Sequence, residues 1–502
     1  MSCICRLFVG ARASASLLLK SFACLAAMLA ASLLFSLQAS AAVTFTASEI
    51  ASGDQYSNSI VSGDFNNDGV LDLVTTNAST ISFYKGLGGG QYAAPVNTTG
   101  FGGQVVAADF NGDGKLDLAV ASGYGGTQIW LGNGDGTFTA GASMSNGESL
   151  TSWIATADFN GDHIPDIVMN VCPAQSPDCG TQVYLGNGDG TFQLSASLTY
   201  GGYGLVVGDL NADGYQDIAM IDEYYAGFNG VVVYLGKGNG QFQNPLMLKL
   251  TDSTLAIAVG DFYNDRIQTL AVLTQGSKDA YVQTVQYSGG QLVANSPQVA
   301  FKLPSPYLSF FVAAGDLNGD FKDDLVISGY YSQYSNYDPS SPWNVSMLGT
   351  GKGTFAADKS LSVYGEQLQY PFIRDLTLNS RHDIGLDWSA YNSSSGGAFV
   401  LLNTNAPTDC DPPPANKLSV NICAPKEGET VASTFTFRGA GNAFNGIAKR
   451  MELWIDGQKV GQNLEDQLRV STTLTAGTHT ASFVVVDSFD NYTSKSVTFT
   501  AK

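Results

Sequence analysis

The chain has 502 residues with 44 acidic and 24 basic side chains, and its formal net charge at pH 7 is −20. This charge excludes nucleic acid as a partner, because phosphate binding requires clustered Lys and Arg. Residues 43–416 hold 36 acidic and 12 basic side chains, whereas residues 417–502 hold 8 and 9. The asymmetry indicates two domains with different roles, and the acidic part suits a cation.

The first 41 residues have the pattern of a secretory signal peptide. Three basic side chains precede an apolar stretch at 22–37, and the small residues Ala39-Ser-Ala41 follow it. A retained membrane anchor is the alternative, but the apolar stretch is short for a span. We therefore expect residues 1–41 to be removed. The mature chain is then secreted, periplasmic or on the cell surface, and no later segment crosses a membrane.

A short acidic segment returns seven times, and we call these segments acidic loops 1 to 7. They begin at Asp64, Asp109, Asp158, Asp209, Asp261, Asp316 and Asp375, at intervals of 45 to 59 residues. Such intervals indicate a repeat architecture. In each unit, short apolar runs rich in Val, Ile and Leu alternate with Gly-, Asn- and Asp-rich turns. This pattern is typical of four antiparallel strands, the composition of one β-propeller blade.

The seventh unit has no fourth strand before the chain leaves for a linker. The segment Val43–Ala47 aligns with the fourth-strand segment around Phe138 and precedes acidic loop 1 at a similar spacing. We expect it to complete the last blade, which hides two sheet edges. The prediction is an all-β fold with a seven-bladed propeller over 42–403, closed by the N-terminal strand. No stretch of the mature chain has a convincing helical period.

The acidic loops have the donor atoms of a calcium site. Loop positions 1, 3, 5 and 9 are Asp or Asn, and position 6 is usually Gly, which allows a sharp turn. Calcium takes six to eight oxygen ligands, and the carbonyl at position 7 is a natural contributor. Without a cation, three or four carboxylates in one loop repel each other. A metal-free Asx-rich turn is the alternative, but repeated identical placement favours the metal.

Five loops keep all four oxygen positions, and we expect about five structural calcium ions. Loops 1, 2 and 4 also keep Gly at position 6, whereas His163 and Phe321 replace it in loops 3 and 6 and should weaken those sites. The predicted ligands are Asp64, Asn66, Asp68, Asp72, Asp109, Asn111, Asp113, Asp117, Asp158, Asn160, Asp162, Asp166, Asp209, Asn211, Asp213, Asp217, Asp316, Asn318, Asp320 and Asp324.

Loops 5 and 7 are expected to hold no calcium. Loop 5 has Tyr263 at position 3 and Thr269 at position 9, and Arg266 places a positive charge beside it. Loop 7 has Thr377 at position 3, and we expect Arg381 to stand in for the ion.

The acidic loops, together with the tail Leu131-Gly-Asn-Gly-Asp-Gly-Thr-Phe138 and its near copy Leu185–Phe192, resemble FG-GAP (VCBS) repeats. These repeats build the N-terminal propeller of integrin α-subunits. The resemblance implies a seven-bladed propeller with calcium in the loops between first and second strands. Integrins carry this propeller with further domains that are absent here, so their receptor role is not implied.

Four cysteines remain beyond the signal peptide, in two close pairs. Cys172 pairs with Cys179 and Cys410 with Cys423 in the simplest interpretation, because local pairs in an exported chain are usually disulfides. A metal site is the alternative, but the chain has only three histidines, and none lies at a suitable spacing.

A Pro-rich linker at 404–416 separates the propeller from a second predicted domain at 417–502. Short alternating runs such as Met451–Ile455 and His479–Val486 indicate a β-sandwich. The segments Glu452–Gly457, Ala476–His479 and Asp487–Asn491 resemble bacterial Ig-like domains. We interpret this domain as a spacer, with an accessory binding module and plain structural packing as alternatives.

The propeller face opposite the acidic loops is unusually aromatic, and we call it the aromatic face. Stiff aromatic side chains with polar neighbours are typical of recognition surfaces. We expect this face to bind a glycan or an extracellular protein, although each single ring could instead pack on its own loop. The candidate ligand-binding residues are Tyr224, Tyr225, Tyr330, Tyr331, Tyr334, Tyr337, Trp343 and Trp388.

The sequence favours a secreted adhesion or recognition module over an enzyme. No Ser/His/Asp arrangement is legible, and three scattered histidines make His-based catalysis improbable. Asp222 and Glu223 form the one adjacent acidic pair predicted on the aromatic face, and we interpret them as solvated loop charges. A polysaccharide-active glycosidase or lyase and a structural cell-envelope scaffold remain alternatives.

Overall fold

A computed structural model describes most of the chain beyond the first 42 residues. The described residues are 43–51, 57–77, 79–100, 102–121, 123, 126–144, 149–173, 179–222, 228–303, 308–320, 322–331, 344–358, 361, 367–377, 381–389, 396–404, 410, 413, 417–442, 450–463, 467–487, 489 and 491–502. They belong to one unit, Val43–Lys502, and the predicted signal peptide lies outside them.

The described residues form strands joined by turns and irregular segments. No helix that could cross a membrane is found among them. The first eleven strands are β1 (Phe45–Ala51), β2 (Ser57–Gly63), β3 (Asp72–Asn77), β4 (Thr80–Tyr84), β5 (Gly86–Gly88), β6 (Gln91–Tyr92), β7 (Val96–Thr99), β8 (Val105–Ala108), β9 (Asp117–Ala121), β10 (Thr127–Gly132) and β11 (Phe138–Met144). β2-β3-β4-β7 form sheet 1, and β11-β10-β9-β8 form sheet 2.

Sheets 3 to 5 follow in chain order with the same antiparallel pattern. Sheet 3 contains β12 (Ser149–Ala157), β13 (Asp166–Pro173), β14 (Gly180–Gly186) and β15 (Phe192–Leu198). Sheet 4 contains β16 (Tyr203–Gly208), β17 (Asp217–Asp222), β18 (Gly230–Tyr234) and β19 (Leu246–Lys249). Sheet 5 contains β20 (Ser253–Gly260), β21 (Thr269–Gln275), β22 (Asp279–Ser288), β23 (Gln291–Ala294) and β24 (Gln298–Lys302).

Sheets 6 and 7 complete the series. Sheet 6 contains β25 (Leu308–Gly315), β26 (Asp324–Tyr331), β27 (Val345–Gly349) and β28 (Phe355–Asp358). Sheet 7 contains β29 (Gln367–Arg374), β30 (Asp383–Ser389) and β31 (Gly396–Asn403), and its fourth strand is β1. β1 pairs antiparallel with β31, from Phe45 opposite Asn403 to Ala51 opposite Gly397.

The apolar core of these sheets lies between successive sheets. Six clusters of buried side chains each join one sheet to the next, and a further cluster joins sheet 7 to sheet 1 through residues such as Leu73 and Val400. The second strands are buried on both faces, as in β9 and β17, which explains their continuous apolar runs. The first strands contact each other in chain order, and β29 contacts β2. The fold is therefore all-β and propeller-like.

The C-terminal part forms a β-sandwich. Its strands are β32 (Ser419–Ala424), β33 (Thr430–Val431), β34 (Thr434–Asn442), β35 (Arg450–Ile455), β36 (Gln458–Asn463), β37 (Gln467–Thr473), β38 (Gly477–Val486) and β39 (Tyr492–Ala501). A three-stranded sheet, β32-β34-β37, faces a five-stranded sheet, β33-β39-β38-β35-β36, across one core that contains Phe437 and Phe483. The predicted domain limits and the Ig-like assignment stay predictions.

The structure contains both predicted disulfides. Cys172 is bonded to Cys179 at the end of β13, and Cys410 is bonded to Cys423 in β32. The second bond joins the predicted linker to the first strand of the sandwich, which limits how far that strand can separate from it.

Candidate metal-binding loops

Position 1 organises the loop backbone in acidic loops 1 to 6. In loop 2, Asp109 Oδ1 accepts hydrogen bonds from Gly112 N at 2.8 Å and Asp113 N at 3.1 Å, and Oδ2 accepts one from Gly114 N at 2.8 Å. Asp64, Asp158, Asp209 and Asp261 likewise accept from the backbone N–H of position 6. Several backbone N–H groups of the loop therefore donate to this one carboxylate and hold the loop in a tight turn, as Asx side chains do in turns.

Positions 3 and 5 repeat this behaviour on a smaller scale. Asn111 Oδ1 accepts from Asp113 N at 2.9 Å, and Asp113 Oδ1 accepts from Lys115 N at 2.9 Å. The same two bonds recur in loops 1, 3, 4 and 6. The oxygens of positions 1, 3 and 5 are consequently held on the inner side of one tight turn.

Two positions of the loop, 4 and 6, adopt left-handed backbone conformations, and only position 6 was expected to do so from the sequence. Position 6 has positive φ, as expected from Gly69, Gly114 and Gly214, and His163 adopts it too, with φ of 66°. Position 4 also has positive φ in six loops, at Asn67, Gly112, Gly161, Ala212, Asn264 and Gly319. Because five of these six residues are Gly or Asn and other residues at positive φ are strained, the signal was also present at position 4.

Position 9 anchors the loop to the sheet, a role that the sequence analysis did not predict. Asp117 is fully buried, and its Oδ2 accepts from Phe110 N at 3.0 Å while its Oδ1 accepts from Gly132 N at 2.7 Å. One carboxylate thus joins position 2 of the loop to the end of the third strand. The same pair of bonds is made by Asp72, Asp166, Asp217 and Asp324.

The carboxylates of one loop act on each other electrostatically. Burial raises the pKa of Asp117 to about 7, the charges of Asp109 and Asp113 act in the same direction, and hydrogen bonds from Gly132 and Phe110 oppose them. Burial likewise raises the pKa of Asp72, Asp166 and Asp217 to about 7, with added repulsion from positions 1 and 5 of the same loop. Each loop therefore concentrates negative charge in a poorly solvated place.

The donor set fits calcium better than a transition metal. Within the described part of the chain, no three His, Cys, Asp or Glu side chains are grouped as a metal centre. A bound ion would therefore need the Asn side chain of position 3 and a backbone carbonyl in addition to carboxylates. Calcium accepts such mixed oxygen ligands, with water completing the shell. In three loops a lysine contacts the position 5 carboxylate instead, as Lys85 does with Asp68 at 3.0 Å.

Loops 5 and 7 differ from the other loops in the hydrogen-bond partners of their side chains. Tyr263, at position 3 of loop 5, points its hydroxyl to Thr284 Oγ1 at 2.9 Å rather than offering an amide oxygen to the loop. Arg381 was expected to stand in for an ion in loop 7, but its Nη1 donates to Asn318 O of loop 6 at 2.9 Å. His382 Nδ1 lies 2.9 Å from Asp316 O of the same loop. Loop 7 thus covers loop 6.

A phenylalanine at position 2 connects each of four loops to the next sheet. Phe110 packs edge-to-face on Phe192 of sheet 3, with ring centroids 5.5 Å apart, and Phe110 O accepts from Gly190 N at 2.9 Å. The pairs Phe65–Phe138, Phe159–Phe242 and Phe262–Phe355 repeat this arrangement. The Gly-rich hairpins that the sequence marked as turns therefore dock on the preceding acidic loop.

The side chains at the centre of the predicted aromatic face lie outside the described part of the structure. Tyr224, Tyr225, Tyr334, Tyr337 and Trp343 lie outside the described residues, and for Tyr330, Tyr331 and Trp388 the structure describes only the backbone, in β26 and β30. One related interpretation was wrong. Asp222 is 2% exposed at the end of β17, so it is not a solvated loop charge.

These loops and sheets define a class of propeller-like repeat proteins. Three segments, 64–120, 109–169 and 209–272, match the family model described as the FG-GAP-like repeat. The chain therefore contains FG-GAP-like repeats in these segments, as the acidic loops predicted.

Solved structures with a similar arrangement were also found. One is a lectin of Agrocybe aegerita, described as recognising non-reducing terminal N-acetylglucosamine, with 20% identity, a TM-score of 0.43, and coverage of 62% of this chain and 80% of the lectin. Another is the extracellular domain of a hybrid two-component system of B. thetaiotaomicron, with 10% identity, a TM-score of 0.40, and coverage of 91% and 57%. Similarities this low carry no argument about function.

Proposed function

We propose that this protein is an extracellular recognition module built on a seven-bladed, calcium-stabilised β-propeller that β1 closes. The observation that carries the proposal is the repeated loop geometry. In acidic loops 1 to 4 and 6, side-chain oxygens at positions 1, 3 and 5 line one turn, and position 9 fixes that turn to the sheet. A rigid scaffold with loops at both ends of its sheets is suited to presenting a binding surface.

Calcium would stabilise the scaffold rather than take part in chemistry. The five predicted loops hold their carboxylates close together. Burial is the main cause of the raised pKa at position 9, and a divalent cation would remove the repulsion that adds to it. Binding to the folded state alone adds stability according to concentration and affinity. Every carboxylate of an intact loop is engaged with backbone N–H groups, which leaves none in the role of a catalytic acid or base.

A matched pair of variants tests the calcium assignment. Asp113→Asn removes the position 5 carboxylate of loop 2, and Asp265→Asn removes the corresponding carboxylate of loop 5, which is expected to hold no ion. Native mass spectrometry of the mature chain should count about five calcium ions in the native protein and in Asp265→Asn, and one fewer in Asp113→Asn. Removal by a chelator should lower the melting temperature. An ion count of zero for the native protein would refute the assignment.

The recognition partner is proposed to be a glycan or an extracellular protein bound at the aromatic face. The density of tyrosine in the sequence 330–337 supports this proposal. Replacing 330–337 with a Gly-Ser segment should abolish binding on a glycan or protein array. Because Tyr330 and Tyr331 pair with Ser309 and Leu308 at the end of β26, circular dichroism must show native strand content in this variant. Unchanged binding would exclude that loop. A parallel hydrolysis and lyase assay on the same glycans separates recognition from turnover.

A further inference from the structure

A cleft of about 510 Å³ lies between acidic loops 3 and 4 and the five-stranded sheet of the C-terminal sandwich. Its volume is within the range of about 300–1,000 Å³ that is usual for ligand sites, and such sites occur preferentially between domains. His163 and Tyr215 line the propeller side, and Arg450, Trp454 and Tyr492 line the sandwich side. The cleft is on the loop side of the propeller and shares no residue with the aromatic face.

The sandwich wall of the cleft is unusual for the outer face of a sheet. Alternate residues of a strand point to the same face, so Arg450, Glu452 and Trp454 of β35 lie together. Val484 stands opposite Glu452, and Val486 stands opposite both Arg450 and Tyr492, which makes one continuous patch. The outer face of an antiparallel sheet is ordinarily polar. Here Trp454, Val484, Val486 and Tyr492 make it apolar and aromatic where it meets the cleft.

The rings that line the cleft are partly held in place and partly accessible. Trp454 Nε1 donates to Glu452 Oε2 at 2.9 Å, and Glu452 Oε1 accepts from Arg450 Nε at 3.0 Å and Lys459 Nζ at 2.6 Å. This network fixes the orientation of the indole ring. Tyr492 is 74% exposed and Tyr215 is 46% exposed, although both are large rings. Two accessible rings from opposite walls therefore flank one immobilised ring.

The two walls of the cleft are joined by contacts that hold their spacing. Phe489, in the turn between β38 and β39, is fully buried in the core cluster shared by sheets 2 and 3. His163 Nδ1 lies 2.8 Å from Phe489 O. This contact gives His163 a function that explains why a histidine occupies the strained position 6 of loop 3. The cleft is consequently preformed rather than assembled by a ligand, which lowers the entropic cost of binding.

We propose that this cleft binds a neutral saccharide. The C–H faces of a pyranose ring pack on aromatic rings, while its hydroxyls need both donors and acceptors at the edge. Arg450 supplies donors, and the carboxylate of Glu452, which also lines the cleft, supplies an acceptor. Arg450, Glu452, Asp158 and Lys459, which contacts Glu452, together carry a net formal charge of zero, so no excess positive charge attracts an anionic saccharide.

The test uses the full mature chain with saturating calcium. Cellobiose, maltose, lactose and N,N′-diacetylchitobiose are titrated by isothermal calorimetry, with a glucuronic-acid disaccharide as the anionic comparison. At least one neutral disaccharide should bind, and Trp454→Ala should weaken its affinity at least tenfold, which corresponds to about 1.4 kcal/mol. Tyr492→Ala should weaken it less, because that ring is 74% exposed and is not held by the hydrogen-bond network of Trp454. Leu87→Ala, at an exposed apolar residue outside the cleft, is the matched control and should have no effect.

Three results would overturn the inference: no binding of any neutral disaccharide to the native chain, unchanged affinity in both Trp454→Ala and Tyr492→Ala, or tighter binding of the anionic disaccharide. Because Trp454 packs partly on its own sheet, circular dichroism must show native strand content in that variant; Tyr492→Ala covers the case in which it does not fold. The variant with 330–337 replaced by Gly-Ser should keep this affinity. Its behaviour separates failure at the cleft from failure at the aromatic face.

Discussion

At the scale of single residues, the acidic loops need side-chain oxygens at some positions and a left-handed backbone at others. Positions 1, 3 and 5 supply the oxygens, and these Asp and Asn residues were evident in the sequence. The backbone shape follows from positions 4 and 6, and Ala212 is the residue that fits it least well, with φ of 59°. A side chain in this region costs about 1–2 kcal/mol relative to ordinary helical φ, and only glycine avoids that cost.

We expect Ala212→Gly to stabilise the protein by about 1 kcal/mol, because relief of the left-handed strain exceeds the entropy that glycine loses on folding. Ala356→Gly in β28 is the matched control, since Ala356 is also exposed but lies in an ordinary strand. That control should be destabilising. Chemical denaturation of both variants in calcium measures the two changes. A lower unfolding free energy for Ala212→Gly would mean that the alanine makes a contact worth more than its strain.

His163 marks the limit of prediction at this scale. In the sequence it was a poor residue for position 6, and a weakened site was the natural expectation. The structure gives it a partner, Phe489 O, that is 326 residues away along the chain. Contacts of this kind leave no local signal, because only the folded arrangement brings the two segments together. Position 9 was similar: its carboxylate could be recognised as a ligand candidate, but not as the link between loop and third strand.

At the scale of elements, the phenylalanine at position 2 explains how neighbouring sheets are joined. Phe occupies position 2 in loops 1, 2, 3 and 5, and in each case the next sheet has a Gly-rich hairpin that ends in Phe. Loops 4, 6 and 7 have Leu there, at Leu210, Leu317 and Leu376. The sheets after loops 4 and 6 lack that hairpin: sheet 5 turns through Gly289 and Gly290 instead, and sheet 7 takes its fourth strand from β1.

A double-mutant cycle on Phe110 and Phe192 tests this connection. Phe110→Leu and Phe192→Leu should each destabilise the protein, and the pair should show a coupling of about 0.5–1.5 kcal/mol, since edge-to-face rings attract beyond their buried area. Phe110→Leu combined with Phe242→Leu is the control, because Phe242 pairs with Phe159 at a different interface. That combination should be additive within about 0.5 kcal/mol. Equal coupling in both cycles would show that the rings contribute only general burial.

Strand positions and hairpins were largely predictable, because each short apolar run is bounded by Gly, Asn or Asp. The short apolar runs of each unit were expected to be strands, and β10 (Thr127–Gly132) is one of them. The five strands of sheet 5 were less visible, since Gln291–Ala294 and Gln298–Lys302 are short, and both pair with β22. Which strands pair with β22 depends on the space that neighbouring sheets leave, and a single sequence does not show that space.

At the scale of the whole molecule, β1 joins the start of the described chain to its last propeller-like sheet. It supplies the outer strand of sheet 7, and Val43 beside it is fully buried in the cluster between sheets 6 and 7. Without β1, the edge of β31 from Gly397 to Asn403 would lose its partner. An uncovered edge of this length is a template for pairing with another chain.

Deleting residues 43–51 from the mature chain should therefore lower the melting temperature and cause aggregation that light scattering detects. A synthetic peptide of sequence 43–51, added during refolding, should restore solubility by occupying the free edge. A scrambled peptide of the same composition is the control. Full stability of the truncated chain would contradict the proposed role of β1 in closing the ring.

The pairing of β1 with β31 also affects the order in which parts of the chain can fold during synthesis. The two strands are separated by about 350 residues, so the earliest part of the domain to be synthesised waits for the latest before it finds its partner. Contacts this distant along a chain slow folding, because the connecting loop must be closed first. Until Asn403 has emerged, the chain has two unprotected edges, and a chaperone that shields β-strands would act most usefully in that interval.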